Sequence, residues 1–262
     1  MAAPAAAQYS APKMNAPKDG RTDLAVGEKY HIQVNGDIWN PTVHGLIASS
    51  QFGLVGTQIS FESDLKFAQT RFKEFGVELR ATRRNKFYAQ YSPISYSSDT
   101  TLSREITFNG QKFAVNLPVK ATYDWKVWRV GYEIDVVALP RGFVGLLFEA
   151  RMTDFGASVQ RPGSPAEFTQ AKGPLPAIGI VGRAYPIKNA SITAQISGIK
   201  FPDVSPDYKG SYSDLNIYGT YNITNYVGVQ GGWKRVTTNV LIKKDSGDTA
   251  FKGIWFGAVV RY

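Results

Sequence analysis

Apolar and polar residues alternate with a period of two along most of the chain from Glu28 onward. Between Trp128 and Val136, the even-numbered positions are apolar or aromatic and the odd-numbered positions are charged or glycine. The same alternation runs through 30–38, 75–82, 144–153, 192–197 and 214–221. Because successive side chains of a strand point to opposite faces, each segment predicts a strand with one apolar and one polar face.

The connections between these segments alternate in length. The short ones lie near 84–86, 139–142, 188–190 and 224–225, and the longer polar ones at 98–119, 159–173, 203–211 and 244–249. Short turns on one side and long loops on the other are typical of outer-membrane β-barrels. The alternative is a soluble antiparallel sandwich or barrel with an apolar interior, which has no reason to sort its loops by length.

Aromatic residues favour the membrane interpretation, because they gather near the ends of the predicted strands. One group lies near the short turns: Phe87, Tyr88, Phe143, Tyr185, Tyr221, Tyr226 and Tyr262. A second group lies near the opposite rim: Trp125, Phe155, Phe201, Trp233 and Phe256. Two belts of amphipathic rings fit the two interfaces of a bilayer.

The C-terminal segment resembles the terminal strand signal of bacterial outer-membrane proteins. Its last apolar face ends on the aromatic Tyr262, and Gly257 falls at the glycine position of that signal. Val260 stands where a second aromatic is usual, which is a departure. The resemblance implies recognition by the outer-membrane assembly machinery.

The predicted fold is therefore all-β: an antiparallel transmembrane β-barrel with short periplasmic turns and long extracellular loops, located in the bacterial outer membrane. Nine strands are predicted near 250–262, 226–243, 212–223, 190–202, 175–187, 142–157, 120–138, 86–97 and 74–84. Residues 28–61 must supply one or three more, because single-chain bacterial barrels have even strand counts. We expect about ten strands, with twelve as the alternative. Residues 1–27 predict a flexible Ala/Pro-rich leader, and 28–262 the barrel.

Two stretches resemble an uncharacterised family of small porin-like bacterial outer-membrane barrels. The family's "GT-x-I-D…DLG" pattern is matched by 56–60 with Asp64-Leu65, and its "LDRDI-x-F" element by 102–108. Ser60, Lys66 and Glu105 depart from these patterns. The resemblance covers about 50–160 and implies fold and location, without an activity.

The amino-acid composition excludes some classes of protein and suggests which molecules the protein binds. No apolar run approaches the ~18 residues of a membrane helix, cysteine is absent, and the net charge is +9. The basic residues are spread over predicted loops and turns, so we expect no nucleic acid partner. Outer-membrane lipids and the phosphates of lipopolysaccharide are the expected partners, through Lys112, Lys120, Lys243 and Lys244. The loop 98–119 predicts a hairpin around Asn109-Gly110.

The polar strand faces point into the lumen of such a barrel. The candidate lumen and selectivity residues are Glu78, Arg80, Arg129, Glu133, Glu149, Arg151 and Arg183. Since buried charges need partners, we expect the three glutamates to pair with the four arginines across neighbouring strands. A structural, ion-paired filling and a narrow channel for small solutes both fit this pattern.

A lipid-modifying enzyme and a scaffold presenting binding or adhesion loops are the further alternatives. Catalysis usually needs a histidine beside a carboxylate, and the chain has only His31 and His44. His31 is far along its strand from Asp37, and the residues around His44 include no carboxylate. The sequence carries no metal-spaced cluster and no phosphate loop. No catalytic residue, metal or cofactor is predicted, and the oligomeric state stays open.

Overall fold

The computed structural model describes residues 24–50, 54–200, 208–242 and 245–262, which form thirteen strands. The strands are β1 Ile32–Ala48, β2 Ile59–Ser60, β3 Phe72–Arg80, β4 Asn85–Thr101, β5 Ile106–Phe108, β6 Gln111–Phe113, β7 Pro118–Leu139, β8 Gly142–Gln160, β9 Ala166–Ile187, β10 Ala190–Lys200, β11 Tyr208–Asn222, β12 Val227–Ile242 and β13 Asp245–Arg261. Within these ranges no helix is long and apolar enough to cross a membrane.

Ten of the described strands close into one antiparallel barrel. Each of β1, β3, β4 and β7 to β13 pairs with its neighbours in chain order, and β13 pairs with β1 along almost its full length. The predicted count of ten is confirmed, and residues 28–61 supply one barrel strand. Followed once around the sheet from Ile32, the register returns to β1 at His44, twelve residues higher. A stagger of this size tilts the strands by about 40° from the barrel axis.

The connections sort by length as predicted. The four short turns, 81–84, 140–141, 188–189 and 223–226, share one end of the barrel with the start of β1 and the end of β13. The long connections 49–71 and 102–117 lie at the other end. The loop predicted at 159–173 is wrong in extent, because β8 continues to Gln160 and β9 begins at Ala166. β13 likewise begins at Asp245, so most of the loop predicted at 244–249 is strand.

A belt of exposed apolar side chains surrounds the barrel next to its short turns. Its members include Ile32, Val34, Ile38, Phe75, Val77, Leu79, Trp128, Val130, Leu146, Phe148, Ile178, Ile180, Ile192, Ile196, Ile217, Val229, Ile254, Phe256 and Val260. With about 2.5 Å of axial rise per residue, the belt is roughly 20 Å tall, close to the apolar band of a bilayer-spanning barrel. A closed barrel with an even strand number and such a band is the spanning structure of bacterial outer membranes. The protein is therefore an outer-membrane barrel whose short turns face the periplasm.

The barrel continues well above this belt, and its two faces exchange character there. On β7 the inward residues are apolar from Val119 to Val127 and polar or glycine from Arg129 to Asp135, while the outward residues change in the opposite sense at Trp128. The reason is the surroundings of the wall. Lipid covers the lower exterior and water the upper exterior, so the outward side chains are apolar below and polar above, and the main apolar core lies inside the upper half.

The prediction that the aromatic residues form two outward-facing belts is wrong for some of them. Trp125 and Phe155 belong to the apolar core inside the upper barrel, and Phe143 and Tyr185 are buried inside the lower end. Other members of the predicted belts do face outward: Phe87, Tyr221, Tyr226, Phe256 and Tyr262. Phe201 lies outside the described residues.

Candidate functional site

The lumen is filled at its periplasmic end by the residues that precede β1. The amides of Ala25, Val26 and Gly27 donate hydrogen bonds to three of the short turns, at Pro140, Lys188 and Asn225 respectively, over 3.2, 2.8 and 3.1 Å. These three residues belong to the segment predicted as a leader. Residues 1–23 lie outside the described part of the chain, so the prediction for them stays a prediction.

Glu28 ties this segment to the barrel wall. Its carboxylate accepts hydrogen bonds from Arg80 at 2.8 Å, from Arg183 at 3.0 Å and from Tyr185 at 2.6 Å. Burial acts to raise the pKa of Glu28, but the charges of Arg183 and Arg80 outweigh it and lower the pKa to about 2. The carboxylate is therefore ionised at neutral pH and holds two arginines at once.

A second group of charges centres on Lys86, whose side chain is fully buried. Its ammonium contacts the carboxylates of Glu133 and Asp135, the latter at 3.0 Å, and lies 3.6 Å above the ring of Phe143. Three interactions of this kind satisfy a buried ammonium. The predicted pairing of Glu133 with an arginine is therefore wrong, and a lysine from β4 takes that place.

The third group surrounds Glu149. This carboxylate accepts from Arg129 Nε at 2.9 Å and from Arg151 Nη2 at 2.7 Å, and Arg151 also donates to Asp214 at 3.1 Å and to Ser197 at 2.9 Å. These contacts join β7, β8, β10 and β11 across the lumen. The expectation that Glu149 pairs with arginine is confirmed by Arg129 on the neighbouring strand, and Arg151 on the same strand is a second partner.

The remaining predicted lumen residues also have partners, though not the predicted ones. Glu78 accepts a hydrogen bond from the buried Tyr30, and Arg80 and Arg183 share Glu28 instead of a strand glutamate. Sequence reasoning missed Glu28 because it stands at the boundary of the presumed leader, and Lys86 because it was placed in a turn. Lys234 and Glu74, 2.5 Å apart, form a further lumen pair that was missed.

Above the charged groups, the two long outer connections fold over the mouth and dock on each other. Arg104 donates to Asp64 at 2.9 Å and to the carbonyl of Gln58 at 2.5 Å. The amide of Thr57 donates to the carbonyl of Thr107, and the amide of Thr107 donates to the hydroxyl of Thr57, both over 2.9 Å. The two stretches that resemble the uncharacterised barrel family are therefore in direct contact.

The predicted hairpin in the second connection is confirmed and lies within the apolar core. β5 and β6 pair around Asn109-Gly110, whose φ angles of 51° and 77° are both left-handed. Ile106, Phe108 and Phe113 are fully buried from this side, and Leu65 and Leu102 are buried with them. The docked loops are therefore an apolar plug in the upper barrel.

Described residues line two partly open spaces in the barrel that bear on function. One, of about 120 Å³, lies among the lumen charges between Glu74, Arg129 and Arg183. The other, of about 220 Å³, lies in the upper barrel against Trp125, Phe155 and Leu175. Gly173 and Gly247 face this upper cavity with open space beyond the α-carbon. Its volume exceeds the ~150 Å³ that accommodates benzene in an apolar protein cavity.

The residues of the predicted insertion signal lie on both faces of β13. Val260 and Tyr262 face outward from the wall, next to the short turns. Gly257 faces inward, and a β-carbon there would lie 1.8 Å from a carboxylate oxygen of Asp37. The glycine is therefore required by the packing of the lumen. Recognition of this strand by the assembly machinery stays a prediction.

The two histidines lie apart from the lumen network. His31 is exposed at the periplasmic end. His44 Nδ1 lies 2.6 Å from Glu62 Oε1 on the outer surface, where both side chains are half-exposed. The expectation that no carboxylate lies near His44 is therefore wrong, because the connection after β2 returns to the wall of β1. Among the described residues, no three histidine or acidic side chains gather as a metal site.

No family model matches the sequence, and no curated protein matches it. Among solved structures, the outer membrane protease OmpT from Escherichia coli is similar, with a TM-score of 0.56, 12% identity, and coverage of 88% of this chain and 97% of that chain. The translocator domain of the autotransporter NalP from Neisseria meningitidis has a TM-score of 0.42 and 8% identity, with 89% of each chain covered. The attachment invasion locus protein Ail of Yersinia pestis has a TM-score of 0.40 and 7% identity, covering 87% of this chain and 99% of that one. The likeness to OmpT shows the fold, that of outer-membrane β-barrels, and no activity.

Proposed function

We propose that this protein is a non-conducting structural barrel of the outer membrane, whose filled lumen supports an outer half that stands above the lipid. In this proposal the lumen charges hold the strands together and close the interior. They do not select solutes. The channel interpretation of the same residues is the competing one.

The observation that carries the proposal is the placement of Glu28. This residue brings the segment before β1 into the lumen and binds Arg80 of β3 and Arg183 of β9, on widely separated parts of the wall. A solute crossing the barrel would have to displace this carboxylate from both arginines. Breaking buried ion pairs costs about 3–5 kcal/mol, so spontaneous opening would be rare.

The state of the predicted selectivity residues supports the same conclusion. A selectivity ring needs charges that face permeating ions, whereas Arg129 and Arg151 are both buried and bound to Glu149. Above them, the described part of the outer loops fills the upper barrel with apolar side chains. A structural role accounts for every one of these contacts.

The structure that such a barrel would support is its upper half. The walls rise above the apolar belt and enclose the described part of the docked loops. This arrangement suits a scaffold that presents binding or adhesion loops, which is one of the two further alternatives from the sequence. The half-exposed pair of His44 and Glu62 by itself assigns no reaction, so the proposal includes no enzymatic activity.

Conductance across planar bilayers tests the proposal. We expect wild-type protein, with insertion verified by protease protection in the same lipid, to show no steady current steps. The variant Glu28→Ala should admit transient current because it frees two arginines and the segment before β1. Glu62→Ala, on the exterior, should behave as wild type.

A steady wild-type conductance would contradict the proposal. The protein would then be assigned as a channel if Arg129→Glu or Arg151→Glu also changed the preference of the current for anions or cations. Silence in Glu28→Ala as well as in wild type would keep the barrel closed but would contradict the role assigned to Glu28.

A further inference from the structure

The outer edge of the apolar belt carries a sector of basic side chains from β12, β13 and β3, which lie on either side of β1. Lys73 on β3, Lys252 on β13 and Arg235 on β12 are exposed, and Arg71 is exposed immediately before β3. The neighbours in sequence of the three strand residues, such as Phe72, Phe251 and Val236, are buried inside. The basic residues therefore face outward. We call these four residues the basic sector.

The barrel geometry brings the basic sector to one height. Lys252 is directly opposite Arg235 and also opposite Thr42 of β1, whereas Lys73 is opposite Ile38, four residues lower. With a stagger of twelve over ten strands, each strand is displaced along the axis by about 1.2 residues from its neighbour. After this correction the four residues lie within about 5 Å along the axis and span roughly 20 Å of the circumference.

Among the described residues, no acidic side chain forms an ion pair with the basic sector. None of its four side chains has a hydrogen-bond or ion-pair partner among the described residues. Arg235 and Lys252 stand opposite each other on adjacent strands, an arrangement of like charges that destabilises a sheet. An anion held between them would remove this repulsion.

The other side of the barrel shows the contrast. There, Lys172 is bound to Asp154 at 3.5 Å, and Lys126 is opposite the same aspartate. Basic residues on that side have an acidic neighbour on the wall. Near the basic sector, the described acid Glu62 contacts His44. No described acid is paired with the four cations, so their charge is available to something outside the protein.

Apolar residues directly below the basic sector indicate what that partner is. Ile254, Phe256 and Phe75 are more than half exposed and lie one or two positions below the cations on the same outward faces. A ligand that fits has phosphates at the level of the cations and acyl chains below them. The extracellular end of an outer-membrane barrel meets such a molecule in lipopolysaccharide.

We propose that Arg71, Lys73, Arg235 and Lys252 form a binding site for the phosphates of lipopolysaccharide in the outer leaflet. The site lies on the barrel wall, on residues other than the loop lysines predicted from the sequence. Of those, Lys112 and Lys120 are exposed above this level, and Lys243 and Lys244 lie outside the described residues. The site does not depend on whether the lumen conducts.

Matched charge-neutral variants test the site. The first variant carries Lys73→Gln, Arg235→Gln and Lys252→Gln, and the control carries Lys120→Gln, Lys126→Gln and Lys172→Gln, with the same change of charge. Binding to purified lipopolysaccharide in mixed micelles is measured by fluorescence titration. We expect the first variant to lose at least tenfold in affinity and the control less than threefold, with a weaker salt dependence in the first variant.

A single substitution tests the site even if the triple variant does not fold. Lys252→Gln removes the repulsion with Arg235, so it should melt at the same or a higher temperature than wild type in zwitterionic detergent. With lipopolysaccharide added, wild type should gain more in melting temperature than Lys252→Gln does. An equal gain for both would overturn the site.

Two further outcomes would also overturn the proposal. Equal losses of affinity in the two triple variants would mean that lipopolysaccharide binding depends on the total charge of the protein and not on this site. Equal affinity for phosphatidylglycerol vesicles, or equal stabilisation by inorganic phosphate, would show that the four cations bind anions in general and are not specific for lipopolysaccharide.

Discussion

At the scale of single residues, the backbone conformation of Lys66 gives a physical reason for the glycine in the pattern from which this residue departs. The pattern that 56–65 resembles has glycine after Asp-Leu, and here Lys66 adopts a φ of +52°. A side chain in this left-handed region costs about 1 kcal/mol relative to glycine. Lys66→Gly should therefore stabilise the protein by about 1 kcal/mol, measured by equilibrium unfolding in detergent.

Asn116 provides the matched control for this substitution. Its φ is +63°, but asparagine tolerates this conformation better than lysine does. Asn116→Gly should therefore change stability by less than about half as much. If Lys66→Gly were neutral or destabilising, strain at this position would not be the reason for the glycine in the pattern.

At the scale of elements, the docking of the two outer connections depends on one buried carboxylate. Hydrogen bonds from Arg104 lower the pKa of Asp64 below its ordinary value of 3.8. The stabilisation is fully present above that ordinary value and is lost as the pH falls from it through the lowered pKa. Since Arg104 is half-exposed, we expect a contribution of only about 1 kcal/mol.

The prediction is checked by unfolding wild type and Asp64→Asn at pH 7, 5 and 3. The difference in unfolding free energy should be about 1 kcal/mol at pH 7 and pH 5 and should largely vanish by pH 3. Asp99→Asn, an exposed change on β4, should give no such pattern. A difference that persisted unchanged at pH 3 would contradict the role assigned to the ionised carboxylate.

Elements are also the scale at which sequence reasoning succeeded best. Alternation located nine barrel strands, because lipid on one face and a polar lumen on the other give each strand a clear period. It failed for 159–173, where β9 is amphipathic only weakly. The change of phase at Val127 and Trp128 is visible in the printed sequence and marks the outer edge of the membrane. The partners of the lumen charges were less accessible, since Glu28 comes from outside any strand and its contacts depend on three-dimensional closure.

At the scale of the whole molecule, the barrel is divided into a lipid-covered lower half and an upper half that stands in water. This division is inferred from the exposed apolar belt and from the exchange of apolar and polar faces above it. It implies that a substitution on the outward face of one strand has different effects on stability at the two heights. Val130 lies within the belt and is half-exposed, whereas Thr122, eight residues away on the same face of β7, lies about 20 Å higher along the axis.

Lysine at these two positions measures where the membrane ends. Val130→Lys should lower the unfolding free energy in lipid vesicles by about 2 kcal/mol, because an ammonium near the bilayer midplane must be desolvated or must reach the interface. Thr122→Lys should change it by less than about 0.5 kcal/mol, since its side chain is in water. In a lipid-free solution of amphipathic polymer both changes should have smaller and more similar effects. Equal costs in vesicles would mean that the apolar belt is not the surface in contact with lipid, and the height assigned to the basic sector at its edge would have to be abandoned with it.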